Sequence, residues 1–136
     1  MNYDKRSIAS HKKNQGKIEI RSRVPLRNKE DLSIAYTPGV GAVSKAIAAD
    51  KRLARTLTMK GRTVAVISDG SAVLGLGDLG PEAALPVMEG KAALFDHFVG
   101  ISGIPILIES KDPRVIIDTV KKISVQNLTV QYDKVP

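Results

Sequence analysis

Thr63-Val64-Ala65-Val66-Ile67-Ser68-Asp69-Gly70, followed by Leu74-Gly75-Leu76-Gly77-Asp78-Leu79-Gly80, is the stretch on which the reading of the fold turns. Five residues in a row, Thr63 to Ile67, are apolar or β-branched, with no polar alternation. That pattern fits a strand covered on both faces, as in a parallel sheet. Ser68-Asp69-Gly70 then supplies turn chemistry, and a glycine-rich loop follows.

Working outward, a helix is expected over about Val87 to Phe98, with Pro86 interrupting the segment before it. Ile104 to Ile108 reads as a second buried strand. Asp112-Pro113 opens a further helix through Ile116, Ile117 and Val120, with Asp as the cap and Pro at the first position. Upstream, Lys17 to Arg23 alternates around Ile18 and Ile20 and reads as a short strand. Glu30 to Tyr36 suits a helical turn. Thr37-Pro38 reads as a helix start, continued by Val40, Val43, Ala46 and Ile47 on one face, and the charged residues 50–62 read as a connection. Residues 1–15 are polar and open to either a short helix or a loose end. The tail 124–136 offers Val125 to Val130 as an edge strand with no core partner after it. Strand, helix, strand, helix implies an α/β layered domain over residues 1–123, with a small mostly parallel sheet flanked by helices.

Composition narrows the function classes. Aromatic residues are 4% of the chain, so the core has to be built from Val, Ile, Leu and Ala. No apolar run approaches the roughly 18 residues that a membrane helix needs, and the start lacks a secretory apolar segment. Without cysteine there is neither a disulfide nor a thiolate metal site. A cytoplasmic protein is the simplest expectation. Charge is uneven: residues 1–62 carry 15 Lys/Arg against 5 Asp/Glu, a net +10, and residues 63–136 carry 6 against 9, a net −3. The basic front half suits phosphates, nucleic acid, small acidic metabolites or an acidic protein surface. No aromatic residues interleave with the basic ones, which argues against single-strand binding, and a solvated basic face is the plainer reading.

Gly75, Gly77 and Gly80 match the dinucleotide pattern G-x-G-x-x-G, but poorly. Ser68 to Leu74 separate the first glycine from the strand, Pro86 disturbs the helix that should receive a pyrophosphate, and no acidic residue closes a second strand about 20 residues on. Asp96 and His97 fall inside the expected helix. A tight turn packed on the sheet accounts for the loop better. Lys91 shares a helix face with Leu94, Phe95 and Phe98. Such a lysine either snorkels outward over apolar surface or sits in a partly dry cleft, where desolvation disfavours the ammonium and makes it a usable general base. Tyr36, just before the expected cap Thr37, is either a packing residue or a hydroxyl presented beside a helix N-terminus, where anionic groups bind. Asp69 suits turn chemistry and Asp78 suits binding of backbone N–H groups in its own loop. His11 and His97 lie far apart, so no metal-ligand spacing stands out.

Three of these segments together resemble one family. Ala35-Tyr36-Thr37-Pro38-Gly39-Val40 resembles the amino-terminal signature of malic enzymes. Val66-Ile67-Ser68-Asp69-Gly70 with Leu74 to Gly80 resembles their second signature, and Pro86-Val87-Met88-Glu89-Gly90-Lys91 resembles the segment bearing their catalytic lysine. The likeness runs from about Ile18 to Ile123. It implies the substrate-side domain of an oxidoreductase that converts malate to pyruvate and CO₂ with NAD or NADP and a divalent metal, Mg or Mn, in the intact enzyme. It implies Lys91 as the base that takes the hydroxyl proton and Tyr36 as the acid that protonates the enol product. It further implies a small dicarboxylic acid as substrate and a homodimer, with no membrane and no nucleic acid as partner. The glycine loop then belongs to the scaffold, and the cofactor fingerprint lies outside this stretch.

The departures from the family are as informative. Larger members carry Glu-Arg where this chain has Ser71-Ala72, and that arginine clamps a substrate carboxylate; Ala72 cannot, which points to the short bacterial type. Past Ile123 the family's acidic metal-binding pair would fall at Asp133 and Lys134, and a lysine there repels a cation. The tail 124–136 therefore reads as divergent and the domain as truncated, with no cofactor or metal held by this chain and no turnover by it alone. The alternatives are a related oxaloacetate decarboxylase, a non-catalytic dimerising or partner-binding module, and a basic nucleic-acid binder whose affinity falls steeply with salt.

Overall fold

The computed structural model describes residues 2–123 and the backbone of 127–130. The chain divides into two compact units, residues 1–18 with 62–136, and residues 19–61.

The first unit is built on a three-stranded sheet: β1 (Thr63–Ser68), β2 (Ser102–Leu107) and β3 (Asn127–Val130), in the order β2-β1-β3. Both pairings are parallel, Thr63 opposite Ser102 through Ser68 opposite Leu107, and Val64 opposite Asn127 through Ile67 opposite Val130. α5 (Pro81–Val99) joins β1 to β2, and α6 (Pro113–Lys122) joins β2 to the strand on the far side of β1. Ala65 and Ile67 point into a core with Ile108 and Ile116, closed by Ile106, Val120 and Ile123 from the α6 side. Gly103, opposite Val64, faces α5 so closely that a Cβ there would lie 2.6 Å from the Cα of Ala92. α5 and α6 thus cover opposite faces, which explains why Thr63 through Ile67 are all buried. The unalternating run in the sequence was a correct sign of a doubly covered strand.

α6 starts as its sequence says it should, with the Asp112 carboxylate accepting the Arg114 N–H at 2.9 Å and Pro113 at the first position. α5 starts six residues before the expected Val87. Pro81 occupies its first turn behind Gly80, and Pro86 lies inside a continuous helix and does not interrupt it. The helix pays one missing backbone bond for that proline, because Pro86 has no N–H to return to Glu82. Burial of Ala84, Met88 and Ala92 against the sheet holds it straight through. α1 (Tyr3–Asn14) settles the open question at the N-terminus as a helix, with the Asn2 side chain accepting the Lys5 N–H at 3.0 Å, Asp4 in the first turn and His11, Lys12 and Lys13 in the last.

The second unit contains α2 (Lys29–Ala35), α3 (Val40–Ala49), a 3₁₀ turn (Lys51–Leu53), α4 (Ala54–Leu57) and the start of a second 3₁₀ turn (Met59–Arg62). None of its residues 19–61 is fully buried. Three expectations fail in and around it. The strand expected over Lys17 to Arg23 does not form: among the described residues none pairs with it as a ladder partner, and Ile20 is 88% exposed, so the alternation does not build a buried face. The helix expected from Thr37-Pro38 starts at Val40 with Gly39 as its cap, because the Gly39 and Val40 N–H groups turn back to the carbonyls of Ser33 and Tyr36. The peptide bond Thr37-Pro38 is cis. Residues 50–62 carry helical turns, capped at the start by Asp50, whose carboxylate accepts the Arg52 N–H at 3.0 Å. The side chains expected at Asp133 and Lys134 lie outside the described residues, as does most of the tail; the backbone of Asn127–Val130 runs at the sheet edge, as the sequence suggested.

Candidate active site

Lys91 sits on the third turn of α5, half-buried. The expected face with Leu94, Phe95 and Phe98 exists, but it is not the face that meets the sheet. Ala84, Met88 and Ala92 form the buried stripe, while Leu94 and Phe98 are 57% and 74% exposed. Lys91 follows Met88 by three residues and precedes Phe98 by seven, so it stands on the border between the packed stripe and an uncovered apolar one. His97 packs edge-on against the Phe98 ring with centroids 4.7 Å apart. Glu89 and Asp96 are the acidic side chains nearest along the helix.

Tyr36 belongs to the other unit. It closes α2: its N–H donates to the Leu32 carbonyl at 2.8 Å, and its own carbonyl accepts the Val40 N–H at 2.7 Å. The ring is 67% exposed, which leaves the phenol open to solvent in this chain. Its backbone marks the junction of two helices, the end of α2 and the beginning of α3, and Thr37 caps neither.

The glycine loop is folded onto itself. Leu79 and Gly80 N–H groups both donate to the Gly70 carbonyl at 3.2 Å, and the Val73 N–H donates to Gly77. Gly70 has φ +71°, and a Cβ on it would lie 2.0 Å from the Gly80 carbonyl oxygen, so only glycine closes this loop. Val73 is buried. Asp69 accepts both the backbone N–H and the hydroxyl of Ser71, at 3.0 and 2.8 Å, which is the turn chemistry expected of it. These bonds close the loop on itself, and the first glycine of its G-x-G-x-x-G pattern lies seven residues beyond β1. The loop does not fit a dinucleotide cradle.

Asp78 does more than cap its loop. Its carboxylate pairs with the Lys111 ammonium on the β2–α6 connection. That hydrogen bond, reinforced by the Gly80 N–H, holds the Asp78 carboxyl below its ordinary value. The two residues are 33 positions apart, and nothing in their local sequence marks them as partners. A second unanticipated group surrounds Lys17, whose backbone N–H donates to Glu89 of α5 at 3.0 Å and whose ammonium donates to the Pro86 carbonyl at 2.8 Å. Among the described residues no group of three His, Cys, Asp or Glu side chains assembles to hold a metal ion. Among them, too, no helix is long and apolar enough to cross a membrane.

Residues 15–122 match the family model described as malic enzyme, N-terminal domain. The chain is 57% identical over 109 residues to a NAD-dependent malic enzyme of Geobacillus stearothermophilus, covering 80% of this chain and 23% of that protein. It is 51% identical over 121 residues to a bifunctional malic/malolactic enzyme of Bacillus subtilis (strain 168), covering 89% and 30%. Among solved structures, a malic enzyme from Pyrococcus horikoshii Ot3 superposes with a TM-score of 0.88 at 46% identity, over 93% of this chain and 31% of that one. The NAD-dependent malic enzyme of Thermotoga maritima gives 0.84 at 44%, over 89% and 35%. The chain therefore spans about a quarter to a third of the length of these four proteins.

Proposed function

Because the chain belongs to the malic enzyme family, as its amino-terminal domain, we propose that these 136 residues form the substrate-side half of a site that oxidises and decarboxylates malate. The observation that carries the proposal is the placement of Lys91: half-buried, on a helix fixed to the sheet, beside an apolar stripe that awaits cover. A lysine acts as a base where water is kept from it. In this reading Lys91 accepts the proton of the substrate hydroxyl, and the Tyr36 phenol returns a proton to the carbon of the enol product. Lys91 and Tyr36 belong to different units.

The nicotinamide nucleotide and the divalent metal do not fit the described residues. The glycine loop is closed on itself, and no acidic cluster is assembled among the described residues. Their binding residues are assigned to the remaining length that the relatives possess. On the same reading the substrate is a small dicarboxylic acid, the location is cytoplasmic and the assembly is a homodimer. Leu32, Ile34 and Tyr36, all half-exposed or more, offer apolar area to such an assembly.

The test is a chimera. Residues 15–122 of this chain replace the matching stretch of the Geobacillus relative, and malate-dependent NAD(P) reduction is followed by absorbance with Mg or Mn present. Activity is expected. Lys91→Met and Tyr36→Phe are each expected to lower kcat by about a hundredfold to ten-thousandfold, the range for losing a positioned acid or base. A chimera that folds and keeps full activity without either side chain refutes the assignment. The 136-residue chain alone is expected to reduce no cofactor, and measurable turnover by it contradicts the division of labour.

A further inference from the structure

Between α1 and α5 lies a polar clasp that the chemistry above does not use. α1 buries none of its residues, and Tyr3 and Ile8 are 70% and 68% exposed. Lys17 links it to α5. The Lys17 N–H donates to Glu89 Oε2 at 3.0 Å, and its ammonium donates both to the Pro86 carbonyl at 2.8 Å and to His11 Nε2 at 2.5 Å. The His11 Nδ1–H donates to the Ser7 carbonyl at 2.8 Å. A carbonyl can only accept, so Nδ1 carries the proton and Nε2 is left as the acceptor that Lys17 needs. Gln15, in the left-handed region, and Gly16, with φ +109°, turn the chain sharply between His11 and Lys17. A Cβ on Gly16 would stand 2.8 Å from Glu89 Oε1, so the carboxylate occupies the space that a side chain would take.

The clasp grips α5 where the helix is weakest. Pro86 leaves one internal bond unmade, and Gly90 is the poorest helix former after proline. Between them, at Pro86 and Glu89, sit the contacts from Lys17. Lys91 is the next residue after Gly90. In helical projection Pro86 and Glu89 point to the side of α5 away from Lys91, so Lys17 cannot be one of the groups reacting there. We propose that Lys17, set by His11, is a positioning residue: it braces the proline-interrupted turn of α5 from behind and thereby fixes the direction in which Lys91 projects. This inference rests on the assignment of Lys91 as the base, but the experiment reads the geometry of Lys91 and not its catalysis, so the two can fail separately.

The full 136-residue chain is compared by NMR as wild type, Lys17→Met, His11→Gln and Gly16→Ala. Lys17→Met removes all donation by the ammonium and keeps the stem length. The Gly90, Lys91 and Ala92 amides are expected to exchange about tenfold faster, a loss in line with one or two charge-assisted bonds. The Lys91 ε-methylene resonance moves, and exchange of the Val64 to Ile67 amides in β1 stays as in wild type. His11→Gln keeps an acceptor for the ammonium and is expected to retain the wild-type Lys91 signal, and a Lys91 shift as large as that of Lys17→Met overturns the setting role of His11. Gly16→Ala pushes the Glu89 carboxylate aside and is expected to reproduce the Lys17→Met pattern, which keeps the question answerable if Lys17→Met does not fold. An unmoved Lys91 signal with unchanged local exchange in both variants overturns the proposal. So does faster exchange spread evenly through β1 and α5, because that marks a general stability role.

Discussion

Replacing Gly103 by alanine is expected to lift α5 off the sheet that holds it. The new Cβ would stand 2.6 Å from the Cα and 2.7 Å from the Cβ of Ala92. Ordinary contact begins near 3.4 Å, so the helix has to retreat by roughly 1 Å at a point where the obstacle is backbone and cannot rotate away. The retreat opens the seam lined by Val64, Val66, Ala84 and Met88, all under 7% exposed. Overpacking of this kind costs about 1–3 kcal/mol. With a urea slope of about 1–3 kcal/mol/M, the denaturation midpoint followed by circular dichroism should fall by about 1 M. Ala92→Gly removes the 2.7 Å obstacle and leaves the 2.6 Å one. The double variant should therefore recover part of the loss and no more, which a double-mutant cycle reads directly. Gly103→Ala at wild-type stability, or above it, would refute the close approach of α5 to β2 and with it the rigid platform on which Lys91 is placed.

The same methyl group added at Gly90 should act with the opposite sign, because nothing lies within 4 Å of the new Cβ and the backbone is helical. Gly90→Ala is expected to stabilise the chain by about 0.5–1 kcal/mol in urea denaturation, and no gain, or a loss, would show that the space beside Lys91 is filled. Acid should weaken the loop closure at the sheet's end. The carboxyls of Asp78 and Asp112 are depressed below the ordinary 3.8, by hydrogen bonds from Lys111 and Arg114 respectively. A depressed carboxyl contributes stability that is fully present above 3.8 and is lost as pH falls through its lower folded value. The urea midpoint should therefore drop on the acid side of 3.8, and Lys111→Met should flatten part of that drop; an acid limb unaltered in the variant would remove Lys111 as its cause.

Where the sequence was legible, the signal was local and strong. The run Thr63 to Ile67 is apolar or β-branched throughout, as suits a doubly covered strand, and Asp112-Pro113 states a helix start in two residues. Where it misled, a local pattern lost to tertiary context. Pro86 looked like a break, yet the burial of Ala84, Met88 and Ala92 outweighs one absent hydrogen bond. The alternation around Ile18 and Ile20 looked like a strand, but a strand needs a neighbour to pair with, and sequence spacing does not supply one. The contacts that brace α5 behind Lys91 and close the glycine loop against the β2–α6 connection are long-range. Lys17 to Glu89 spans 72 positions and Asp78 to Lys111 spans 33, and neither pair has a periodicity that could have announced it.

Lys91 itself shows how a site can be legible as a residue and not as an environment. Its place beside the Met88 stripe follows from the three-residue spacing on a helix, and the motif around it marks the residue itself. Its dryness does not follow from either. Within these residues the lysine has packed atoms on one side, and on the other Leu94 and Phe98, which face solvent. In the proposed chemistry, exclusion of water from the solvent side is what lets an amine in such a place act as a base, because desolvation disfavours the charged form. Under the proposed function two tasks separate: the sheet at Ala92 and the clasp at Pro86 and Glu89 aim the amine, and exclusion of water beside Leu94 and Phe98 disfavours its ammonium form. Substitutions at Lys17 and Gly103 address the first task and should disturb the direction of Lys91, whereas Leu94→Ser and Phe98→Ser address the second and should leave that direction intact.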